Sequence, residues 1–152
     1  MDTVVFHKTR RNDLSGIIEI ENLSFPSPWN LHTFLSVLYD TSSYNLTAFC
    51  NGEIRGYCFS LVMRKMIHLL NLAIHPDCRG RGLARSLLGE IISFARLNNK
   101  SYVFLEVRRS NDAAQGLYAS MGFSHAFTWR RYYTDTGEDA YIMVRKIERI
   151  KE

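Results

Sequence analysis

The chain has 152 residues, 46% hydrophobic and 22% charged, with nine glycines and three prolines, a composition that fits one ordinary globular domain over 1–152 and excludes collagen-like, coiled-coil and disordered chains. Nineteen Lys plus Arg against fifteen Asp plus Glu leave a formal charge of +4. That mild basicity favours anionic partners without choosing among nucleic acid, a ribosome and a phosphorylated cofactor.

The opening residues MDTVVFHKTRRNDL contain no apolar segment with a small-residue cleavage site, so a cytoplasmic protein is expected. Val4, Val5 and Phe6 predict a short strand. Asn12 or Asp13 can cap a helix reaching Leu23, with Leu14, Ile17, Ile18 and Glu21 at helical spacing. Pro26 and Pro28 break that helix, and Asn30 caps the next, whose predicted apolar face is Leu31, Phe34, Leu35 and Leu38. Asn51-Gly52 between residues 44–50 and 53–62 marks a hairpin with a type I′ turn, because both residues tolerate positive φ. A regular register would set Cys50 opposite Glu53 and Cys58 opposite Asn45, too far apart along the ladder to cross-link. With Cys78 these cysteines form no C-x-x-C pair, and the five histidines show no ligand spacing, so neither a disulfide framework nor a metal site is expected.

Residues 66–74 read as a strand whose apolar run from Leu69 to Ile74 is interrupted at Asn71, far short of the roughly 18 residues a membrane span requires. No membrane segment is expected. Beyond His75-Pro76, the stretch Asp77-Cys78-Arg79-Gly80-Arg81-Gly82 leads into a long helix with apolar rows Leu83, Leu87, Ile91 and Ala84, Leu88, Ile92, Ala95. Residues 102–107 alternate Val103, Leu105, Val107 with Tyr102, Phe104, Glu106, the pattern expected of a strand covered on both faces. Ser110 or Asn111 caps a helix with Ala113, Ala114, Leu117 and Met121 inward, and Gly122 ends it. Residues 126–132 and 140–146 close the chain as two strands joined at Thr134-Asp135-Thr136-Gly137. The reading is α/β, about seven strands and four helices, without repeats or linkers.

Residues 69–88 carry the most information: a strand, a tight loop with Arg79, Arg81 and Arg85 around Gly80 and Gly82, then a helix. Glycines let backbone approach a ligand, and a helix start presents N–H donors in positive potential, which together suit a phosphate. No Gly-Lys-Ser/Thr follows, and Arg85 stands where a dinucleotide fingerprint has its last glycine, so nucleotide hydrolysis is disfavoured. On this segment alone a plain capping turn is equally compatible.

Arg79-x-x-Gly82-x-Ala84 matches the Arg/Gln-x-x-Gly-x-Gly/Ala signature of the GNAT superfamily of acetyl-CoA-dependent N-acetyltransferases. Further stretches extend the likeness: Phe25-Pro26-x-Pro28-Trp29, Asn71-Leu72-Ala73-Ile74-His75-Pro76, Leu105-Glu106-Val107-Arg108-x-x-Asn111, Leu117-Tyr118-x-x-x-Gly122-Phe123, Arg131-Tyr132-Tyr133 and Glu138-Asp139-Ala140. In order and spacing these resemble the ribosomal-protein-alanine N-acetyltransferases, the RimI type, over nearly the whole chain. Cys78 departs from the bulky residue expected there. The resemblance implies the GNAT acyl-CoA N-acyltransferase fold, a mixed, mainly antiparallel seven-stranded sheet flanked by four helices. It also implies acetyl-CoA as cosubstrate and direct transfer to the α-amine of a protein N-terminus, foremost an N-terminal alanine of a ribosomal protein, by a monomer without direct nucleic-acid contact. A small-amine or lysine acetyltransferase, and a non-catalytic coenzyme-responsive module on the ribosome, are the competing readings.

Acetyl transfer requires that the amine lose a proton, that a developing oxyanion be stabilised and that the departing thiolate gain a proton. Glu106, a carboxylate on an apolar strand, is the candidate base; the residues alone equally allow a solvated Glu or a pair with Arg108. Tyr118 would by itself read as core packing, and the resemblance makes it the acid. It likewise places the oxyanion donor and the pantetheine arm at Leu72, Ala73 and Ile74. The pyrophosphate falls on Arg79, Gly80, Arg81, Gly82, Leu83, Ala84 and Arg85, and a coenzyme contact on Asn111 besides its cap. Phe25, Trp29, Arg131, Tyr132 and Tyr133 are candidates to frame the acceptor, with Glu138 or Asp139 drawing a cationic amine; aromatic packing and a solvated turn explain the same residues. Cys78 beside Arg79 could be an activated thiol, although direct transfer needs no acyl-cysteine.

Overall fold

The computed structural model describes residues 2–150. The strands are β1 (Val4–Lys8), β2 (Ser43–Cys50), β3 (Glu53–Val62), β4 (Met66–Ile74), β5 (Tyr102–Arg108), β6 (Ser124–Tyr133) and β7 (Glu138–Lys146). The helices are α1 (Leu14–Ser24), α2 (Leu31–Leu38), α3 (Leu83–Leu97) and α4 (Asp112–Ser120). Seven strands form one sheet in the order β1-β2-β3-β4-β5-β7-β6. β4 and β5 pair in parallel, whereas β1 with β2, β2 with β3, β5 with β7 and β6 with β7 are antiparallel. This is the mixed, mainly antiparallel sheet with four helices that the resemblance implied. Among the described residues no helix is long and apolar enough to cross a membrane.

Contacts group the chain into two compact units, one of residues up to Val62 with Leu69–Ile91, the other of Met63–His68 with residues from Ile92 onward. In the first, Leu14, Ile17 and Ile20 of α1 close over Phe34, Tyr57, Phe59 and Ala73. Trp29, Phe34, Tyr57 and Phe59 meet edge to face, Phe34 lying 5.1 Å from Trp29 and 5.2 Å from Phe59 between ring centroids, the geometry ring quadrupoles favour. Two expectations shift here. Asp13 is itself helical and caps nothing at α1; its carboxylate instead receives the Arg10 N–H at 2.8 Å, closing the short turn Arg11–Asp13. Leu31 is 51% exposed, because at the first position of α2 it precedes the turn that Phe34 buries, while Asn30 caps the helix by accepting the Thr33 N–H.

The hairpin turn has Asn51 at φ 52° and Gly52 at φ 81°, and Cys50 faces Glu53. Cys58, however, faces Leu46 rather than Asn45, because the register shifts between Ala48 and Phe49, where Arg55 is an extra residue on β3. The next residue, Gly56, lies where an added Cβ would come within 2.7 Å of Ile74 Cδ1. The three thiols are free.

In the second unit β5 pairs with β7 along its whole length, from Tyr102↔Lys146 to Arg108↔Ala140, but its ladder with β4 holds only three pairs, Met66↔Tyr102, Ile67↔Val103 and His68↔Phe104. Only one face of β5 is buried: Val103, Leu105 and Val107 are covered, while Tyr102 is exposed and Phe104, Glu106 and Arg108 are half-open. The expected two-sided cover fails because that second face carries a carboxylate and a guanidinium, which stay close to water or to polar partners. On α4, Asn111 is the cap and Gly122, at φ 89°, follows the helix end. Ala113 is exposed and Tyr118 buried, so the helix turns its larger apolar side chain inward at the expense of a methyl group. β6 is longer than expected, and between Trp129↔Ala140 and Tyr133↔Glu138 it bulges through Arg130, Arg131 and Tyr132.

Candidate active site

The glycine loop belongs to the first unit. β4 ends at Ile74, a short turn at Pro76–Cys78 follows, and Gly80 (φ 77°) and Gly82 (φ 79°) then take left-handed conformations that only glycine adopts without strain. A Cβ at either glycine would meet nothing within 4 Å, so their absent side chains leave the backbone open to a ligand rather than to packing. The Ser86 N–H donates to the Gly82 carbonyl at 3.0 Å. Gly82 therefore stands at the cap, and the N–H groups of Leu83 and Ala84 emerge from the helix end without intrahelical acceptors. Arg79 is engaged otherwise: its Nε donates to the Ile74 carbonyl and its Nη2 to Ser24 Oγ, both at 3.0 Å, so it braces the loop. Arg81 reaches Asp2 at 3.3 Å, and Arg85 is exposed. Leu72 is half-buried, with Ala73 and Ile74 buried behind it. The set of outward amides, open glycines and arginines fits an anionic diphosphate. Cys78 is buried, which denies it the exposure a reactive thiol needs.

Also in this unit, Phe25 and Trp29 pack half-buried against the apolar core, leaving Pro26, Ser27 and Pro28 as the exposed tip between them. The Trp29 N–H donates to Glu21 Oε2 at 2.8 Å, and Glu21 Oε1 accepts from the Tyr57 hydroxyl and, at 2.7 Å, from Asn71 Nδ2. In the sequence Glu21 shows only as one position of a helix face. A charge at a buried helical spacing was the available signal.

The candidate proton-handling residues lie in the second unit. Glu106 Oε2 stands 2.7 Å from His68 Nε2, with both side chains less than a fifth exposed, and the His68 ring stacks on Phe104 at 4.3 Å and 14°. His68 escaped the sequence reading, because its meeting with Glu106 depends on the β4–β5 register. Arg108 does not take Glu106. It forks onto Asp135 at 3.1 and 2.7 Å, lies 3.5 Å from Glu138 and places its guanidinium 4.0 Å over the Tyr133 ring. Glu138 accepts the Ser110 N–H at 2.6 Å, and hydrogen bonding to the Ser110 side chain first, then to its N–H and to Arg108, holds its carboxyl below the usual range. Burial pushes the Tyr133 hydroxyl up to about 12, with Tyr132, Glu106 and Glu138 adding to the rise against Arg108. Tyr132 is raised by burial and then by Glu106. Both tyrosines thus stay neutral phenols in the field of Glu106 at physiological pH.

Asp139 spends its carboxylate on architecture: Oδ1 accepts the N–H of Arg131, whose φ of 53° makes the β6 bulge, and Arg109 lies 3.8 Å away. Tyr118 is 9% exposed, its ring tilted against Phe123 at 5.7 Å. Asn111 Oδ1 accepts the Ala114 N–H at 3.1 Å. Within this unit, then, Glu106 meets the unforeseen His68, and its charge is felt at Tyr132 and Tyr133.

Comparison with known proteins places this geometry. Residues 14–123 match the acetyltransferase (GNAT) family. The ribosomal protein bS18-alanine N-acetyltransferase of Escherichia coli K12 is 36% identical over 138 residues, covering 89% of this chain and 92% of that protein. The N-alpha-acetyltransferase RimI of Mycobacterium tuberculosis is 36% identical over 141 residues, covering 89% and 87%. The crystal structure of the ribosomal-protein-S18-alanine N-acetyltransferase from E. coli superposes with a TM-score of 0.91 at 33% identity, over 99% of this chain and 97% of that one. Ard1 from Thermoplasma volcanium, at 23% identity and a TM-score of 0.88, shares the fold. Signature loop, sheet order and these similarities agree: the chain belongs to the acetyltransferase (GNAT) family and is an N-acetyltransferase.

Proposed function

We propose that the protein transfers the acetyl group of acetyl-CoA to the α-amine of a protein N-terminus, an N-terminal alanine of a ribosomal protein being the foremost acceptor. The observation that carries the reading is the Glu106–His68 pair on the half-open face of β5, a carboxylate able to take a proton at a strand edge whose ladder with β4 ends after three pairs. The names of the relatives support the acceptor class. So does the energetics, since freeing a peptide α-amine of its proton at pH 7 costs about 1.4 kcal/mol, against about 4.6 for a lysine. One carboxylate is then base enough.

In this reading Glu106, held by His68, accepts the proton of the α-amine, the amine attacks the thioester carbonyl, and the Tyr118 hydroxyl protonates the departing sulfur. Acetyl-CoA supplies the activated acyl group. Gly80, Gly82, Leu83 and Ala84 offer backbone to its pyrophosphate, with Arg81 and Arg85 adding charge, Arg79 bracing the loop and Asn111 making the further contact. Leu72, Ala73 and Ile74 provide the strand end for pantetheine and the oxyanion donor. The acceptor meets the Phe25–Trp29 segment and the Arg131, Tyr132 and Tyr133 bulge that Asp139 shapes. The protein acts as one monomeric GNAT domain in the cytoplasm, without metal and without contacting nucleic acid directly.

The test is incubation of purified protein and acetyl-CoA with a panel of peptides bearing free alanine N-termini, acetyl-blocked peptides with an internal lysine, and small amines, followed by thiol release and product mass. Acetylation confined to free N-termini is expected. Turnover only on lysine or small amines overturns the acceptor assignment, and absence of turnover on every amine overturns the catalytic reading in favour of a coenzyme-responsive binding module.

A further inference from the structure

Glu21 is 2% exposed, and among the described residues no Arg, Lys or His meets it. An apolar side chain of the same size would spare the desolvation of a buried carboxylate, so its three neutral donors have to be explained. Two of them, Tyr57 on β3 and Asn71 on β4, fix the carboxylate to the sheet. The third holds a loop. The Phe25-Pro26-Ser27-Pro28-Trp29 segment has no N–H at Pro26 or Pro28, yet both its ends return to one residue. The Phe25 N–H donates to the Glu21 main-chain carbonyl at 3.1 Å, and the Trp29 N–H donates to the Glu21 carboxylate at 2.8 Å. Asn71, which binds the same carboxylate at 2.7 Å, immediately precedes Leu72, where the coenzyme strand end begins.

We propose that Glu21 is a positioning residue that fixes the exposed Pro26-Ser27-Pro28 tip relative to β4 and so sets which acceptor the enzyme takes. This rests on the reading that the Phe25–Trp29 segment meets the acceptor. Glu21→Gln distinguishes the role from mere packing. Its single carbonyl oxygen can serve Tyr57 and Asn71, but its amide group then turns a donor toward the Trp29 N–H.

The measurement is hydrogen exchange at the Trp29 amide together with steady-state kinetics, on wild type, Glu21→Gln and Tyr57→Phe. In wild type the Trp29 amide is protected relative to the same residue in an unstructured peptide. In Glu21→Gln it exchanges about tenfold faster or more, and KM for an alanine-starting peptide rises about tenfold, while kcat and KM for acetyl-CoA stay within about threefold. Tyr57→Phe, which keeps the Trp29 bond, leaves both readouts within about threefold. An unprotected Trp29 amide in wild type overturns the proposal without need of any variant. So does unchanged exchange in Glu21→Gln, or faster exchange with an unchanged peptide KM, or a loss confined to kcat. If wild type acetylates no free N-terminus, the acceptor assignment fails on its own account, while the exchange data still decide whether Glu21 holds the loop, and the amine that is turned over replaces the peptide in the kinetics.

Discussion

Each compact unit holds a covered glutamate, less than a fifth exposed, whose carboxylate touches neither arginine nor lysine among the described residues, and the two have opposite surroundings. Glu21 receives three neutral donors on its two oxygens and is 2% exposed. Among the described residues Glu106 has a single hydrogen-bond partner, His68, through Oε2, and its side chain is 17% exposed. A carboxylate saturated with donors can take a proton only by breaking bonds that hold the fold, whereas one paired with an imidazole and open on one side can exchange a proton with a bound amine. Kind of partner and remaining access separate the structural acid from the one proposed to be chemical.

The largest effect that would sharpen this contrast is the response of each carboxylate to amidation. Glu106→Gln is expected to lower kcat about 10²- to 10³-fold and leave thermal unfolding and KM for acetyl-CoA near wild type. Glu21→Gln is expected to lose about 1–3 kcal/mol of stability, by the donor it places against the Trp29 N–H, with kcat little changed. Thiol-release kinetics beside denaturant unfolding check both. Full activity in Glu106→Gln, or a collapse of kcat in Glu21→Gln, would break the comparison.

A smaller effect isolates the partner. His68→Phe preserves a ring to stack on Phe104 while removing the 2.7 Å bond to Glu106, and kcat is expected to fall about tenfold, the scale of a misplaced rather than missing base. Measured in the Glu106→Gln background, the same substitution is expected to do almost nothing further, because residues that act as a unit are not additive. Full additivity would mean that His68 serves the reaction by another route.

Most elements were legible because their signals are local: Asn51-Gly52, the prolines after α1, the Asn30 and Asn111 caps and the apolar rows of α3 each act over a few residues. What stayed hidden belongs to pairs of elements. The extra residue Arg55, which moves Cys58 from Asn45 to Leu46, is a property of β2 against β3. His68 became part of the site only through the β4–β5 register, and Arg108 turned from Glu106 to Asp135 because the β6–β7 turn brought a better bidentate partner. Phe25 and Trp29 were legible as aromatic, but not as core residues flanking an exposed proline tip. The signature loop was readable as a loop with open glycines, whereas the brace from Arg79 to Ser24 joins residues far apart in sequence and needed the fold.

Asn111 offers the smallest effect and the finest distinction, because it is a polar group for which a structural and a chemical role are both proposed. Its Oδ1 caps α4 through the Ala114 N–H, and the family resemblance adds a coenzyme contact. Asn111→Ala removes both and is expected to cost about 1 kcal/mol of stability. Serine caps a helix nearly as well but is too short to reproduce an amide contact, so Asn111→Ser is expected to unfold like wild type. If the contact exists, KM for acetyl-CoA rises about threefold in both variants, the scale of one weak hydrogen bond. If KM moves only in Asn111→Ala, the coenzyme senses the cap through the order of the helix, and Asn111 joins Glu21 on the structural side of the comparison.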